Sequence, residues 1–237
     1  MQEDNLLKNN QIKIQGKISS ELTFSHEVYG ENFYNFYMDI VRLSDSKDIL
    51  PITISERLID KDALAIGTVV SITGQIRSYN NFVDTENKNR LVLTIFARDI
   101  EIIEQEDKGI NPNDVSLNGF ICKEPIYRTT PFGREISDVL IAVNRAYNKS
   151  DYIPCIAWGR NARFCSKLSV GDNIRISGRM QSRGYQKKLE SGDVLEKVAY
   201  EVSISKIEIV EHDDNLAQPQ EDSFEETNLD ENMNSEN

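Results

Sequence analysis

Two stretches of the chain, residues 11–104 and 115–211, alternate apolar and polar positions with a period of two, the pattern of antiparallel sheet rather than of helices. The alternation is cleanest over 172–182. There Ile174, Ile176, Gly178 and Met180 fall on one face, while Arg175, Ser177, Arg179 and Gln181, continued by Arg183, fall on the other. In the second stretch the pattern predicts strands over 115–122, 135–145, 151–158, 172–182 and 196–210. Thr130-Pro131-Phe132-Gly133 reads as a turn and Ser191-Gly192-Asp193 as a hairpin tip. A short helix, about Asn161–Leu168, separates the third and fourth strands, and in the first stretch Glu56–Ile66 takes its place.

The two stretches repeat each other. Gly67-Thr-Val-Val-Ser-Ile-Thr-Gly74 aligns with Gly171-Asp-Asn-Ile-Arg-Ile-Ser-Gly178, Ile14-Gln-Gly16 with Leu117-Asn-Gly119, and Pro51 with Pro154. Two copies of one domain follow, 11–104 and 115–211, joined by a linker over 105–114 that contains Gly109 and Asn111-Pro112-Asn113. Five strands with a helix between the third and fourth is the plan of an OB-fold. The predicted fold class is therefore all-β, two tandem OB-fold Greek-key barrels followed by an acidic tail.

Charge separates these parts. The 237 residues carry 27 Lys+Arg against 39 Asp+Glu, a net charge of -12. Residues 115–211 nevertheless hold 15 basic against 11 acidic side chains, and residues 11–104 hold 10 against 14. Residues 212–237 hold nine carboxylates and neither Lys nor Arg, with too few apolar residues to offset the entropy of ordering, so a disordered tail is expected. A basic domain hidden inside an acidic chain points to nucleic acid. The longest apolar run, Val139–Val143, is far short of the ~20 residues of a membrane span, and the N-terminus resembles no signal peptide. A cytoplasmic, nucleoid-associated protein is expected. Cys122, Cys155 and Cys165 form no CxxC pair and, with His26 and His212 far apart, no zinc set, so reduced packing thiols and neither metal nor cofactor are expected.

The candidate chemistry lies in the second copy. Arg175, Arg179 and Arg183 make a basic stripe on one strand face, where the first copy has Val69, Ser71, Thr73, Gln75 and Arg77. On the third strand Ile153, Cys155 and Ala157 suit the interior, which puts Tyr152, Pro154, Ile156 and Trp158 outside. Large outer apolar groups either pack on a partner subunit or stack on bases. Tyr147, Tyr185 and Arg145 lie near the same surface, and Lys187 and Lys188 extend the set. Aromatic platforms interleaved with cations fit the recipe for single-strand binding. The first copy, net acidic but holding Phe33, Tyr34, Phe36, Tyr37 and Tyr79, reads as a weaker binding site or an assembly module. No phosphate-binding Gly-Lys loop, His-centred nucleophile set or deaminase pattern suggests an enzyme. An RNA-binding OB module and a replisome or primosome scaffold are the alternatives.

The second copy resembles the bacterial single-stranded DNA-binding protein family. The resemblance rests on Asn118-Gly119-Phe-Ile-Cys-Lys-Glu-Pro125, Tyr127-Arg-Thr-Thr-Pro131-Phe-Gly133, Leu140-Ile-Ala-Val-Asn-Arg145, Tyr152-Ile-Pro-Cys-Ile-Ala-Trp-Gly159 and Gly178-Arg-Met-Gln-Ser-Arg183. It implies an OB-fold, no catalysis, and stacking of bases on positions such as Tyr152, Trp158 and Tyr185, with Tyr147 near another. It further implies four OB domains per assembly, which two per chain would reach as a homodimer. Single-strand protection in replication, repair or recombination would be the role. Tails of the family end in an acidic stretch closed by Ile-Pro-Phe that docks replication and repair enzymes. This chain ends Asn232-Met-Asn-Ser-Glu-Asn237, and its closest analogue is internal, Glu221–Glu226, which weakens the implied recruitment of such partners.

Overall fold

The computed structural model describes residues 8–42, 44, 46–83, 88–107, 111–188 and 194–210; the side chains of 61, 81–83, 88–90, 187 and 188 are outside that description. The acidic tail, Gly109 and the tip Ser191-Gly192-Asp193 therefore lie outside the described residues.

The first barrel contains β1 (Asn10–Ile18), β2 (Thr23–Val28), β3 (Glu31–Val41), β4 (Lys47–Ser55), β5 (Val69–Val83) and β6 (Lys88–Ile102). The second contains β7 (Asn113–Thr129), β8 (Glu135–Asn144), β9 (Ser150–Trp158), β10 (Asn173–Lys188) and β11 (Val194–Ile209), with α1 (Arg160–Cys165) between β9 and β10. The strands run in the order β10-β11-β9-β8-β7-β1-β5-β6-β4-β3-β2, and the pairings β10–β7 and β1–β3 close each half into a barrel. Each barrel is completed by one parallel contact, β4 with β6 and β9 with β11. No helix among the described residues is long and apolar enough to cross a membrane.

The glycines shared by the two copies have physical reasons. Gly67 and Gly171 turn the chain into β5 and β10 with φ of 91° and 95°, values that cost an L side chain dearly. Gly74 and Gly178 sit at β-bulges, where an added Cβ would strike the carbonyl oxygens of Phe96 and Ser203.

Three sequence expectations are corrected. The first barrel has no helix over Glu56–Ile66 but a single 3-10 turn at Lys61–Ala63. Asp60 accepts the Asp62 amide at 3.0 Å, a local bond that competes with helix propagation. The second barrel's first and fourth strands run longer than alternation suggests, because β7 continues to Thr129 past two bulges and β10 runs on to Lys188 in a ribbon with β11 that extends beyond the core. β7 also begins at Asn113, inside the segment read as linker.

The core is continuous through the pairing of β1 with β7, which sets Ile12 opposite Val115 and places both in one buried cluster. Where β1 leaves β5 for this pairing, the Asn10 side chain extends the ladder: it donates to the Ile76 carbonyl at 2.7 Å and accepts the Ile76 amide at 2.9 Å. Asn113 does the same for Met180 at 2.7 and 3.0 Å. Cys155 and Cys165 are buried and all three thiols are free. Burial pushes the Cys122 thiol up to about 12 and the Cys165 thiol up to about 11.

Candidate nucleic-acid interface

Alternation along β9 sends Ile153, Cys155 and Ala157 into the core. On the outer face Tyr152 and Pro154 are half-buried and Trp158 is 39% exposed. Ile156 departs from the expected exposure and is buried. Cross-strand register puts it opposite Asp138 of β8, between Ile136 and Leu140, which are buried with it as a small second apolar layer outside the barrel. Trp158 lies directly across from Ile136 at the edge of this layer. Tyr152 and Trp158 are six residues apart on the outer face of β9, about 20 Å at ~3.3 Å per residue.

Tyr147 stands on the loop between β8 and β9 with its side chain 94% exposed. The backbone there is left-handed at both Tyr147 and Asn148, with φ of 61° and 53°, and Arg145 donates its amide to the Lys149 carbonyl at 2.7 Å to close the loop. Tyr185 is half-buried in the β10–β11 ribbon, opposite Lys197. The side chains of Lys187 and Lys188 lie outside the described residues.

The arginine stripe differs in character from a bare row of cations, because each of its members faces a carboxylate. Arg175 lies 3.3 Å from Glu208, and Arg183 lies 3.6 Å from Glu201. Lys206 first, and then Arg175, hold the exposed Glu208 carboxyl below its ordinary range. Gln181, expected on the solvent face, is buried and donates to Glu201 at 2.7 Å. Arg179 reaches into the first barrel, where its Nη1 lies 3.2 Å from Asp48. Arg145 is 3.4 Å from Asp151.

Asp48 and Asp151 were not among the candidate residues, yet they organise the junction between the barrels. Both side chains are fully buried. Asp48 receives Arg42 Nε at 2.6 Å, Arg179, and the Ser182 amide at 2.8 Å. Asp151 receives Arg77 at 2.9 Å, Arg145, and the Ser78 amide at 2.8 Å. The serine hydroxyls answer by accepting backbone amides across the same junction, Ile49 to Ser182 at 3.0 Å and Tyr152 to Ser78 at 2.7 Å. The signal was present in the repeat: Asp48 precedes Pro51 by the spacing with which Asp151 precedes Pro154. Arg77 and Arg98 of the first barrel, also unforeseen, share the Gln75 side-chain oxygen at 2.6 and 3.0 Å.

In the first barrel the aromatic doublets divide by side. Phe36 enters the core, whereas Phe33 lies outside and is covered by stacking with His26 at 4.8 Å and by Phe96 at 5.7 Å. Tyr37 and Tyr79 are 45% and 51% exposed.

Residues 112–210 match the family described as "Single-strand binding protein family". Over 81 residues the chain is 37% identical to single-stranded DNA-binding protein 1 of Staphylococcus aureus (strain COL), covering 31% of this chain and 48% of that protein. Over 84 residues it is 33% identical to single-stranded DNA-binding protein B of Bacillus subtilis (strain 168), covering 31% of this chain and 72% of that protein. The chain thus spans about half the length of the Staphylococcus relative. The wild-type single-stranded DNA binding protein from Thermus aquaticus has the same fold, with a TM-score of 0.66 at 19% identity over 88% of this chain and 95% of that one. Sequence likeness therefore concentrates on the second barrel, likeness of fold takes in both, and the chain belongs to the single-strand binding protein family.

Proposed function

We propose that this chain binds single-stranded DNA, tolerantly of sequence and without chemical change to the strand, mainly on the outer face of the second barrel. The observation that carries the reading is the presentation of Tyr147. A ring 94% exposed is held out by a left-handed backbone at a residue with a large side chain, two positions from Arg145. Such a backbone costs of order 1–3 kcal/mol, and strained residues of this kind cluster at functional sites. Trp158, Tyr152 and Tyr185 offer further π-faces, and every base has one, which makes the recognition sequence-tolerant. Arg145, Arg175, Arg183, Lys187 and Lys188 supply charge along the strand, and Arg179 adds the N–H groups it does not spend on Asp48.

The names of the relatives favour the same ligand, and the role proposed is protection of exposed single strands during replication, repair or recombination. Two barrels per chain would make four in a homodimer, which a solution mass of twice the chain mass would support. Replacement of one platform tests the reading. Tyr147→Ala and Trp158→Ala should each weaken dT-oligomer binding by ~1–3 kcal/mol and leave the salt dependence nearly unchanged. If Trp158→Ala lowers the melting temperature or splits the assembly while per-site affinity holds, Trp158 is a packing residue.

A further inference from the structure

The two inter-barrel junctions are related by the repeat, but their charges differ. Register sets Gln181 opposite Glu201 in the second barrel and Arg77 opposite Thr94 in the first, so a neutral threonine stands where the other junction has a carboxylate. Arg98 and Ser205 are the extra residues of the two equivalent bulges, so the first barrel has a cation where the second has a serine. Around Asp48 there are consequently three arginines (Arg42, Arg179 and Arg183) and two carboxylates (Asp48 and Glu201). Around Asp151 there are three arginines, Arg77, Arg98 and Arg145, and Asp151 is the one carboxylate among the described residues that pairs with any of them.

Arg98 is the unbalanced member. Its guanidinium lies 5.6 Å over the Phe96 ring and donates to the neutral Gln75 at 3.0 Å, and among the described residues it makes no ion pair. Its proton is held less tightly than usual, by desolvation first and then by the charges of Arg77 and Arg145. The aromatic Tyr152, which donates its amide to Ser78, and the half-exposed Tyr79 flank the cluster. At the other junction Ile49 and Arg183 hold the matching places.

We infer that Arg77, Arg98 and Arg145 form a phosphate-binding site shared by the two barrels, at which the backbone of a single DNA strand passes from the second barrel to the first. The inference rests on the single-strand reading above and adds a path to it. Three guanidiniums and one carboxylate leave two positive charges to be met, and a phosphodiester brings one. Arg98, held over the Phe96 ring and hydrogen-bonded to Gln75, is pre-oriented to donate to it. The first barrel thereby takes part in binding despite its net acidity, because the junction, not the barrel's total charge, sets the local potential.

Salt-dependent titration of the full chain with a short dT oligomer, about 8 nucleotides, and a long one, about 30, tests this. In Arg98→Gln the long oligomer should lose several-fold in affinity and about 0.7 in the slope of log K against log salt, while the short oligomer, seated on the second barrel, changes little. Arg98→Lys, which keeps the charge, should keep the wild-type slope and guards against a folding defect in the first variant. An unchanged slope for the long oligomer in Arg98→Gln, an equal loss on both oligomers, or an Arg98→Lys slope as low as that of Arg98→Gln overturns the inference. Failure of the wild-type chain to bind either oligomer would instead remove the single-strand reading itself.

Discussion

Asp48 and Asp151 occupy equivalent places in the two barrels, and each is fully buried while accepting, at 2.8 Å, the backbone amide of a serine on the other barrel's long strand. The reciprocity ties β4 to β10 and β9 to β5, so the barrels are joined at two points besides the β1–β7 ladder.

Asp48→Asn should keep an acceptor for Ser182 but strip Arg42 and Arg179 of their shared carboxylate. Breaking a buried pair by removing one partner costs about 3–5 kcal/mol, and the lower end applies because both arginines keep some solvent. Urea unfolding measures it, and a loss below about 1 kcal/mol would mean that the junction is held by the backbone bonds alone.

The stripe arginines should behave differently from one another. Arg179→Ala is expected to lower stability, since it removes one of the two cations on buried Asp48. Arg175→Ala, at an exposed pair with Glu208, should leave stability within about 0.5 kcal/mol and flatten the salt slope of DNA binding by ~0.7. Melting temperatures and salt titrations of the two variants separate the roles, and identical profiles would contradict the division.

Alternation along the chain showed the two barrels, the inward Ile174, Ile176 and Met180, and the outer placement of Tyr152 and Trp158. Those features depend on a period that one strand displays by itself. Ile156 and Gln181 are buried against expectation, and Arg179 meets Asp48 of the other barrel, for a common reason: alternation tells which way a side chain leaves its strand, not what a second layer or a second barrel places over it. The Asp48 and Asp151 contacts span 134 and 73 residues of sequence, and nothing local marks their partners.

Stability should decline in alkali because of Cys122. Its thiol donates to the Leu140 carbonyl at 3.3 Å, and burial raises its pKa in the folded state to about 12. The unfolded chain releases that proton near pH 8.5, so the stabilisation is complete below that pH and is lost progressively as pH climbs toward the folded value. Comparing urea midpoints at pH 7 and pH 10 for the native chain and Cys122→Ala measures the term. The native chain should lose more than the variant, and equal losses would show that Cys122 does not contribute.

The nine carboxylates of residues 212–237 should compete with DNA for the arginines of the second barrel. Removing those residues is expected to tighten dT binding at low salt, with the gain shrinking as salt rises. No change at any salt would show that the acidic segment does not reach the binding face.

Trp158 is the single tryptophan of the chain, so its fluorescence reports on the proposed platform without labelling. Titration with oligo-dT and with a duplex of the same length, at one salt concentration, tests the central claim most directly. Stacking should give saturable quenching by the single strand and much weaker binding by the duplex, whose base faces are hidden. Equal affinity for both, or saturation by the single strand with no change in Trp158 emission, would contradict it.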